Sequence, residues 1–210
     1  MRAITLISTM HDEIGNCNAE ELCKIIKEIC PEVIFLEALE SNYSEYEKQL
    51  FENFEVYHKK LEIKAIQLYS QINSFVYVPV LESGLNDSFE NKFKFFENNS
   101  LHRRLIDNYN VKVNNDGFRF LNSIESIKLQ EEMRKFESSE FNYNEIEIEF
   151  NDSMDKYENS MLNNIYSFSK NNSFNTAIFM CGVAHRKSII DKTELFQKSE
   201  EIKLNWNFYE

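Results

Sequence analysis

The stretch Ala177-Ile178-Phe179-Met180-Cys181-Gly182-Val183-Ala184-His185 decides the fold of this chain. A short apolar run between polar residues is typical of a buried strand. Gly182 lets the backbone turn or approach another group closely, because it has no Cβ. Open α/β sheets bind their ligands beyond the carboxyl ends of the strands. The stretch therefore predicts a strand that carries His185 to a ligand-binding edge.

The beginning of the chain repeats this arrangement. Residues 3–9 form an apolar run that ends in small residues, and His11 follows. Two of the four histidines thus occupy the same position relative to a predicted strand. If both strands belong to one parallel sheet, both imidazoles lie at the same edge.

A strand–helix–strand unit follows the first strand. Residues 17–30 carry apolar side chains at helical spacing, and Pro31 ends the helix. The second strand, Val33–Leu36, is continuously apolar, as in parallel sheets that are buried on both faces. Glu37 comes directly after it and is expected to be partly buried, which is costly for a carboxylate unless it is paired.

The rest of the chain predicts three further strands and several helices. Pro79 indicates that the third strand ends there or lies at a sheet edge. Residues 145–149 alternate between Glu and Ile, which is compatible with a short exposed strand or a charged loop. The predicted elements are helices at about 43–54 and 60–73, a strand at 75–81, a helical insert at about 86–172, a strand at 176–181, a helix at 188–198 and a strand at 203–208.

These elements define a single α/β domain over residues 1–210. Its central sheet is mainly parallel and flanked by helices, and the helical insert lies between the third and fourth main strands. The length and the 42% hydrophobic content suit one domain with a sizeable core.

The charge and hydropathy limit the partners that we expect. The net charge of −12 repels phosphate backbones and anionic lipids, so neither nucleic acid nor a membrane is an expected partner. No apolar stretch approaches the roughly 20 residues that cross a bilayer. The first residues do not have the pattern of a secretory signal, which predicts a cytoplasmic protein.

Four predicted strands end in residues that can carry chemistry, namely His11, Glu37, Glu82 and His185. Two histidines and a carboxylate with an open position are a common catalytic metal pattern. Alternatively, one histidine is a general base that a carboxylate orients, and no metal is needed. Each residue also has a purely structural interpretation, since a strand-end histidine often caps a turn and Glu82 equally suits a solvated loop.

Other polar residues are interpreted as structural. Asp12 and Glu13 suit the cap of the following segment, and His58 and His102 suit the surface. The Arg103–Arg104 pair suits a solvated helix face.

The quoted motifs resemble those of the superfamily that groups TraB, PrgY, GumN and Tiki proteins with erythromycin esterases and haem-binding ChaN lipoproteins. Its hallmark is a pair of Gly-x-x-His motifs and a glutamate after the second strand. Gly182 to His185 matches the second motif, and Ser8 to His11 matches the first with serine in place of glycine. The segment around Glu37 looks like the one that carries the family glutamate.

The chain departs from the family pattern in the helix before the last motif. Relatives often carry an arginine there, followed by an acidic residue or asparagine, and the similar stretch here has Tyr157 followed by Glu158. The role of the missing arginine would then pass to one of four other arginines, which are Arg103, Arg104, Arg134 and Arg186.

The resemblance implies a cleft that His11, Glu37 and His185 face. Glu82, Gly182 and Glu158 are further site candidates. It implies a hydrolase, with a divalent metal preferred as the cofactor, that acts on a peptide or ester bond of a small-molecule or peptide substrate. Two alternatives stay open: a protein that binds haem or a metal without turnover, and an inactive interaction module. Neither the motifs nor the composition predicts the oligomeric state.

Overall fold

The computed structural model contains one sheet of five parallel strands. It describes residues 2–42, 58–84, 94–96, 98–141 and 145–210. The strands lie in the order β3-β2-β4-β1-β5. Their bounds are β1 Ala3–Thr9, β2 Val33–Leu39, β3 Val76–Leu81, β4 Thr176–Gly182 and β5 Asn205–Phe208. The predicted parallel α/β fold is therefore confirmed, with β3 and β5 at the edges.

Six helices of ten or more residues surround the sheet in the described part of the chain. They are α1 Ala19–Ile29, α2 Leu61–Ser70, α3 Ser100–Leu121, α4 Ile124–Phe141, α5 Glu145–Asn171 and α6 Arg186–Ser199. Short helical turns at Glu40–Asn42 and Val183–His185 follow β2 and β4. The helix expected at 43–54 lies outside the described residues.

The interpretation of residues 145–149 as a strand or loop is wrong, since they form the first turn of α5. Glu145 and Glu147 lie in the first turn, where the helix dipole favours acidic residues, and this local effect outweighs the apparent period of two. None of the described helices is both long enough and apolar enough to cross a bilayer.

Local signals in the sequence explain where α1 begins and ends. The side chain of Asn18 accepts a hydrogen bond from the backbone N–H of Glu21 at 3.0 Å, and Glu13 accepts one from Ala19 at 2.9 Å. At the other end, Cys30 adopts the left-handed conformation and Pro31 follows. The interpretation of Glu13 as a capping residue is confirmed.

The central strands are buried on both faces, and each face has its own core. One core joins alternate residues of β1, β2 and β4, such as Ile34 and Met180, to α1, α2 and the α3–α4 pair. The other joins the intervening residues, such as Phe35 and Phe179, to α5 and α6. The site at the strand ends can therefore receive side chains from both helical layers.

The chain changes direction in the middle of the sheet. After β2 it continues to its neighbour β3, whereas after β4 it crosses β1 to reach β5 on the other side. Connections that leave two adjacent strands in opposite directions open a crevice at their carboxyl ends, where α/β proteins bind ligands. Glu37 on β2 and Gly182 on β4 lie at this crevice.

An irregularity in β2 sets the position of Glu37. The strand does not end at Leu36 as predicted but continues to Leu39. Leu36 pairs with Pro79 and Leu39 pairs with Leu81, so β2 has one extra residue between these pairs. Such bulges redirect side chains and are common beside functional sites.

Candidate functional site

The centre of the candidate site is a buried cluster of His185 and two carboxylates. His185 is 5% exposed. Its Nδ1 lies 3.0 Å from Oε1 of Glu158, and its Nε2 lies 3.4 Å from Oε1 of Glu37. The first distance is that of a hydrogen bond that fixes the ring orientation, whereas the second is longer than charge-assisted bonds usually are. Nε2 is therefore the less firmly held of the two nitrogens.

Two further donors hold the carboxylate of Glu37. The backbone N–H of Gly182 donates to Oε2 at 2.6 Å, and the hydroxyl of Tyr157 donates to Oε1 at 3.0 Å. The Tyr157 ring also stacks on the His185 ring, with centroids 5.5 Å apart. Tyr157 thus contacts both members of the His185–Glu37 pair.

The cluster favours the charged forms of its members. Burial opposes the charge on His185, but Glu158 and Glu37 outweigh it and raise the pKa of His185 to about 9. Burial also opposes the charge on Glu37, but His185 and the Gly182 N–H outweigh it and lower the pKa of Glu37 to about 2. His185 is therefore an imidazolium at neutral pH and Glu37 is a carboxylate.

Glu158 connects this cluster to helix α6. Its Oε2 accepts hydrogen bonds from the hydroxyl of Ser188 and, at 3.1 Å, from Nζ of Lys192. Lys192 also donates to Oδ1 of Asp155 at 2.7 Å. Despite burial, His185, Ser188 and Lys192 lower the pKa of Glu158. Glu158 is thereby fixed as the anion that orients His185.

His11 lies on the other side of the site and has a different environment. Its side chain is 53% exposed, and its Nδ1 lies 3.4 Å from Oε1 of Glu62 on α2. A hydrogen bond with Glu62 raises the pKa of His11 against the effect of burial, and the charge of Glu37 raises it further. The hydroxyl of Thr9 donates to the same Glu62 oxygen at 2.6 Å.

A small cavity lies between the two halves of the site. It has a volume of about 10 Å³ and is lined by His11, Glu37 and Glu62 together with Lys60 and apolar residues. A cavity of this size holds about one water molecule. Glu37 therefore contacts His185 and also faces the cavity that His11 lines.

Asn122 and Arg186 hold the end of β1 in place. The Asn122 amide accepts from the Ser8 N–H at 2.7 Å and donates to the Ser8 carbonyl at 3.1 Å. The Arg186 guanidinium donates to Asn122 Oδ1 and to the Tyr209 carbonyl, both at 2.8 Å. Both side chains are buried. Arg186 is thus a structural residue that joins β1, the α3–α4 junction and the segment after β5.

A larger cleft opens beside Glu158 and Ser188. Its volume is about 300 Å³, within the range of small-molecule sites. Eight of its ten lining residues are polar or charged, including Arg134, and Phe150 and Met154 are the apolar ones. Of the four arginines considered as replacements, Arg134 alone lines this cleft, while Arg103 and Arg104 are exposed on α3.

The structure therefore brings together some of the predicted residues and separates others. Glu37 contacts Gly182 and His185, and His185 also contacts Glu158. His11 lies across the small cavity from Glu37. Glu82 is exposed and lines a separate groove along β3 with Glu40 and Phe168.

One residue that was expected at the surface is buried. His102 is 7% exposed, and its Nε2 lies 2.8 Å from Oε1 of Glu137 while its ring stacks on Phe96. The surface interpretation of His102 is wrong, because its contacts with a carboxylate and an aromatic ring offset the free-energy cost of burying the imidazole.

Sequence reasoning missed two side chains of the site. Glu62 and Asn122 lie in helical segments without a motif, and only the tertiary fold brings them to β1. Glu158, which was among the predicted candidates, does carry a signal, because it lies on the same helical stripe as the core residue Met161 and is itself buried. A carboxylate on the buried face of a helix indicates a partner.

The donors present do not converge on a metal ion. The Glu37 oxygens already accept hydrogen bonds from Gly182 and Tyr157, and both nitrogens of His185 face carboxylates. Across the residues that the structure describes, no three His, Cys, Asp or Glu side chains are arranged to hold an ion. The metal therefore stays a prediction.

The predicted haem alternative also lacks support in the geometry. Haem needs an apolar pocket beside an axial ligand, whereas the cleft beside Glu158 is mainly polar and His185 is paired on both sides.

No protein-family model, curated protein or solved structure matches the chain. The fold and site define an α/β protein with a histidine–carboxylate cluster at the carboxyl edge of its sheet. The superfamily resemblance stays a prediction from the motifs.

Proposed function

We propose that this protein is a hydrolase that cleaves an ester or peptide bond at the carboxyl ends of β1, β2 and β4. The observation that carries the proposal is the position of His185, which is held between Glu158 and Glu37 at the crevice of the sheet. Proteins of one fold catalyse many different reactions at the carboxyl ends of their strands. The proposal therefore depends on the side chains of His185, Glu158 and Glu37 and not on the fold.

His185 is proposed as the electrophilic group. Glu158 orients the ring through Nδ1 at 3.0 Å, which leaves the proton on Nε2 in a looser contact with Glu37. A substrate carbonyl oxygen that approaches Nε2 would gain a charged hydrogen-bond donor as negative charge develops on it. Preorganised donors of this kind commonly supply a large share of catalysis.

His11 is proposed as the group that exchanges protons with the substrate. It is half exposed and has one carboxylate partner, Glu62, so its ring is accessible to a substrate. The raised pKa of His11 favours the protonated form. An accessible imidazolium can protonate a leaving oxygen or nitrogen, as a general acid does.

The nearby cleft supports a small-molecule or short peptide substrate. Its volume of about 300 Å³ and polar lining suit a ligand that makes several hydrogen bonds. Arg134 supplies a positive charge in this cleft, in an otherwise acidic protein with a net charge of −12.

The test is hydrolysis of p-nitrophenyl acetate and of fluorescently labelled casein by the purified protein. We expect turnover of at least one substrate, and a loss of roughly 100-fold or more in His185→Gln and in His11→Gln. Glu82→Gln is the matched control, since Glu82 lies in a separate groove. Equal rates for the wild type and both histidine variants would refute the proposal, as would no turnover of either substrate.

A further inference from the structure

One oxygen of Glu62 is buried without a partner. Glu62 is 3% exposed, and its Oε2 has no hydrogen-bond partner among the described residues. An unpaired carboxylate oxygen inside a protein is costly, and most buried polar atoms are paired with protein or with ordered water. This oxygen therefore indicates a missing partner.

The other oxygen of Glu62 is fully used. Oε1 accepts a hydrogen bond from the Thr9 hydroxyl at 2.6 Å and lies 3.4 Å from Nδ1 of His11. Thr9 also contacts the carbonyl of Cys181 on the adjacent strand, which ties Glu62 to the end of the sheet. The carboxylate is thus fixed in orientation, with Oε2 left to serve another group.

A small cavity of about 10 Å³ lies beside this carboxylate and is lined by Glu62, His11 and Glu37. A cavity of this volume accepts about one water molecule, and a buried water usually needs two to four polar partners. These three side chains and Lys60 supply polar atoms around it. A water here would lie between the exposed histidine and the carboxylate that contacts His185.

We infer that Glu62 holds the nucleophilic water of the proposed hydrolysis and accepts a proton from it. The inference rests on the proposed function and adds a catalytic residue that the motifs did not indicate. Glu62, which contacts His11, is then the general base. His11 acts as the general acid.

The proton balance closes with these residues. The water oxygen forms a bond to the carbonyl carbon while one water proton moves to Oε2 of Glu62. The bond from that carbon to the leaving oxygen or nitrogen then breaks, and His11 protonates the leaving group. Glu62 then releases its proton to solvent, and the half-exposed His11 ring takes up a proton from solvent at Nε2, which restores both groups.

The first test compares Glu62→Gln with the wild type on whichever of p-nitrophenyl acetate or labelled casein the protein hydrolyses. Glutamine keeps the size of the side chain and still accepts from Thr9, but it cannot take a proton. We expect kcat to fall by roughly 100-fold or more with KM within about threefold. The thermal midpoint and the Glu82→Gln control check that the fold is intact.

A second variant separates a chemical role from a structural one. Glu62→Ala removes the carboxylate and enlarges the cavity, so added sodium formate is expected to restore part of its kcat. Formate is not expected to raise kcat of Glu62→Gln, where the cavity is filled. A crystal structure of the wild type is expected to show a water within about 3.2 Å of Oε2.

The outcomes distinguish this inference from the function on which it rests. If the wild type is active and kcat of Glu62→Gln lies within about threefold of the wild-type value, the role of Glu62 is overturned and the hydrolase proposal stands. A crystal structure with no water at Oε2 has the same consequence. A wild type that hydrolyses neither substrate overturns both.

Discussion

The two histidines that follow β1 and β4 occupy matching positions in the sequence but differ in their surroundings. His185 is 7% exposed in its side chain and lies between Glu158 and Glu37, whereas the His11 side chain is 53% exposed and its ring contacts Glu62. A buried ring with two anions is held in one charge state and orientation. An open ring with one anion can exchange its proton with solvent or substrate.

The helices that pack on each face of the sheet cause this difference. Glu158 comes from α5 and is buried with the core of that face, while Glu62 comes from α2 on the opposite face. Two similar motifs thus acquire different roles because different layers supply their partners. Four experiments can break or sharpen this contrast.

The largest expected effect is on the free energy of unfolding. His185→Ala leaves two buried carboxylates without their shared cation, which is expected to cost roughly 3–5 kcal/mol. His11→Ala removes a half-exposed contact and is expected to cost at most about 1 kcal/mol. Urea unfolding at pH 6 measures both values, and equal losses would contradict the contrast.

The next effect is on the pH dependence of stability. The pKa of His185 is raised from 6.5 to about 9, so its contribution is complete below pH 6.5 and disappears as the pH rises through about 9. The pKa of Glu37 is lowered from 4.5 to about 2, so its contribution is complete above pH 4.5 and disappears as the pH falls through about 2.

The pair is therefore expected to stabilise the protein most between about pH 4.5 and 6.5. Urea unfolding across this pH range and beyond it checks how the free energy of unfolding depends on pH. His185→Ala is the reference, because both its acidic and its alkaline slopes are expected to weaken. A His185→Ala curve parallel to that of the wild type would show that the pair does not titrate as described.

A smaller effect is expected for Tyr157→Phe. The ring stays stacked on His185, but Glu37 loses the hydroxyl that donates to Oε1 at 3.0 Å. Loss of a hydrogen bond to a charged group is expected to cost roughly 1.5–3 kcal/mol. The pKa of Glu37 is expected to rise, which NMR titration of its side chain measures. An unchanged pKa would show that the hydroxyl is not a significant partner.

The smallest effect is expected at Gly182. An added Cβ would lie 3.4 Å from Oε2 of Glu37 and 3.7 Å from Cδ2 of His185, and φ at this position is −56°. Gly182→Ala is thus expected to cost at most about 1 kcal/mol. Thermal unfolding measures it, and a larger loss would indicate that Glu37 cannot shift. Ser8 already carries a side chain at the equivalent position of the first motif.

The periodic features were predictable from the sequence because they depend on local physics. Continuous apolar runs predicted β1 and β4 to within one residue, and Pro79 correctly indicated an edge strand. Parallel pairing then places His11, Glu37 and His185 at one edge of the sheet.

The partners of these residues were not predictable in the same way. Glu62 and Asn122 reach the end of β1 through contacts that span 53 and 114 positions of the chain. The bulge in β2 depends on pairing with β3, so Leu36 was taken as the end of the strand. Contacts between distant segments leave no periodic pattern, and a single sequence does not reveal them.

The position of β4 in the sheet has a consequence for synthesis of the protein. β4 lies between β1 and β2, yet it is formed by residues 176–182, which are translated long after both of those strands. A nascent chain that has just exposed β1, α1 and β2 therefore has two apolar strands whose shared neighbour has not yet been synthesised. Such unpaired edges favour aggregation and recruitment of chaperones. The sheet, and with it the site, is completed only after β4 has been synthesised and has left the ribosome.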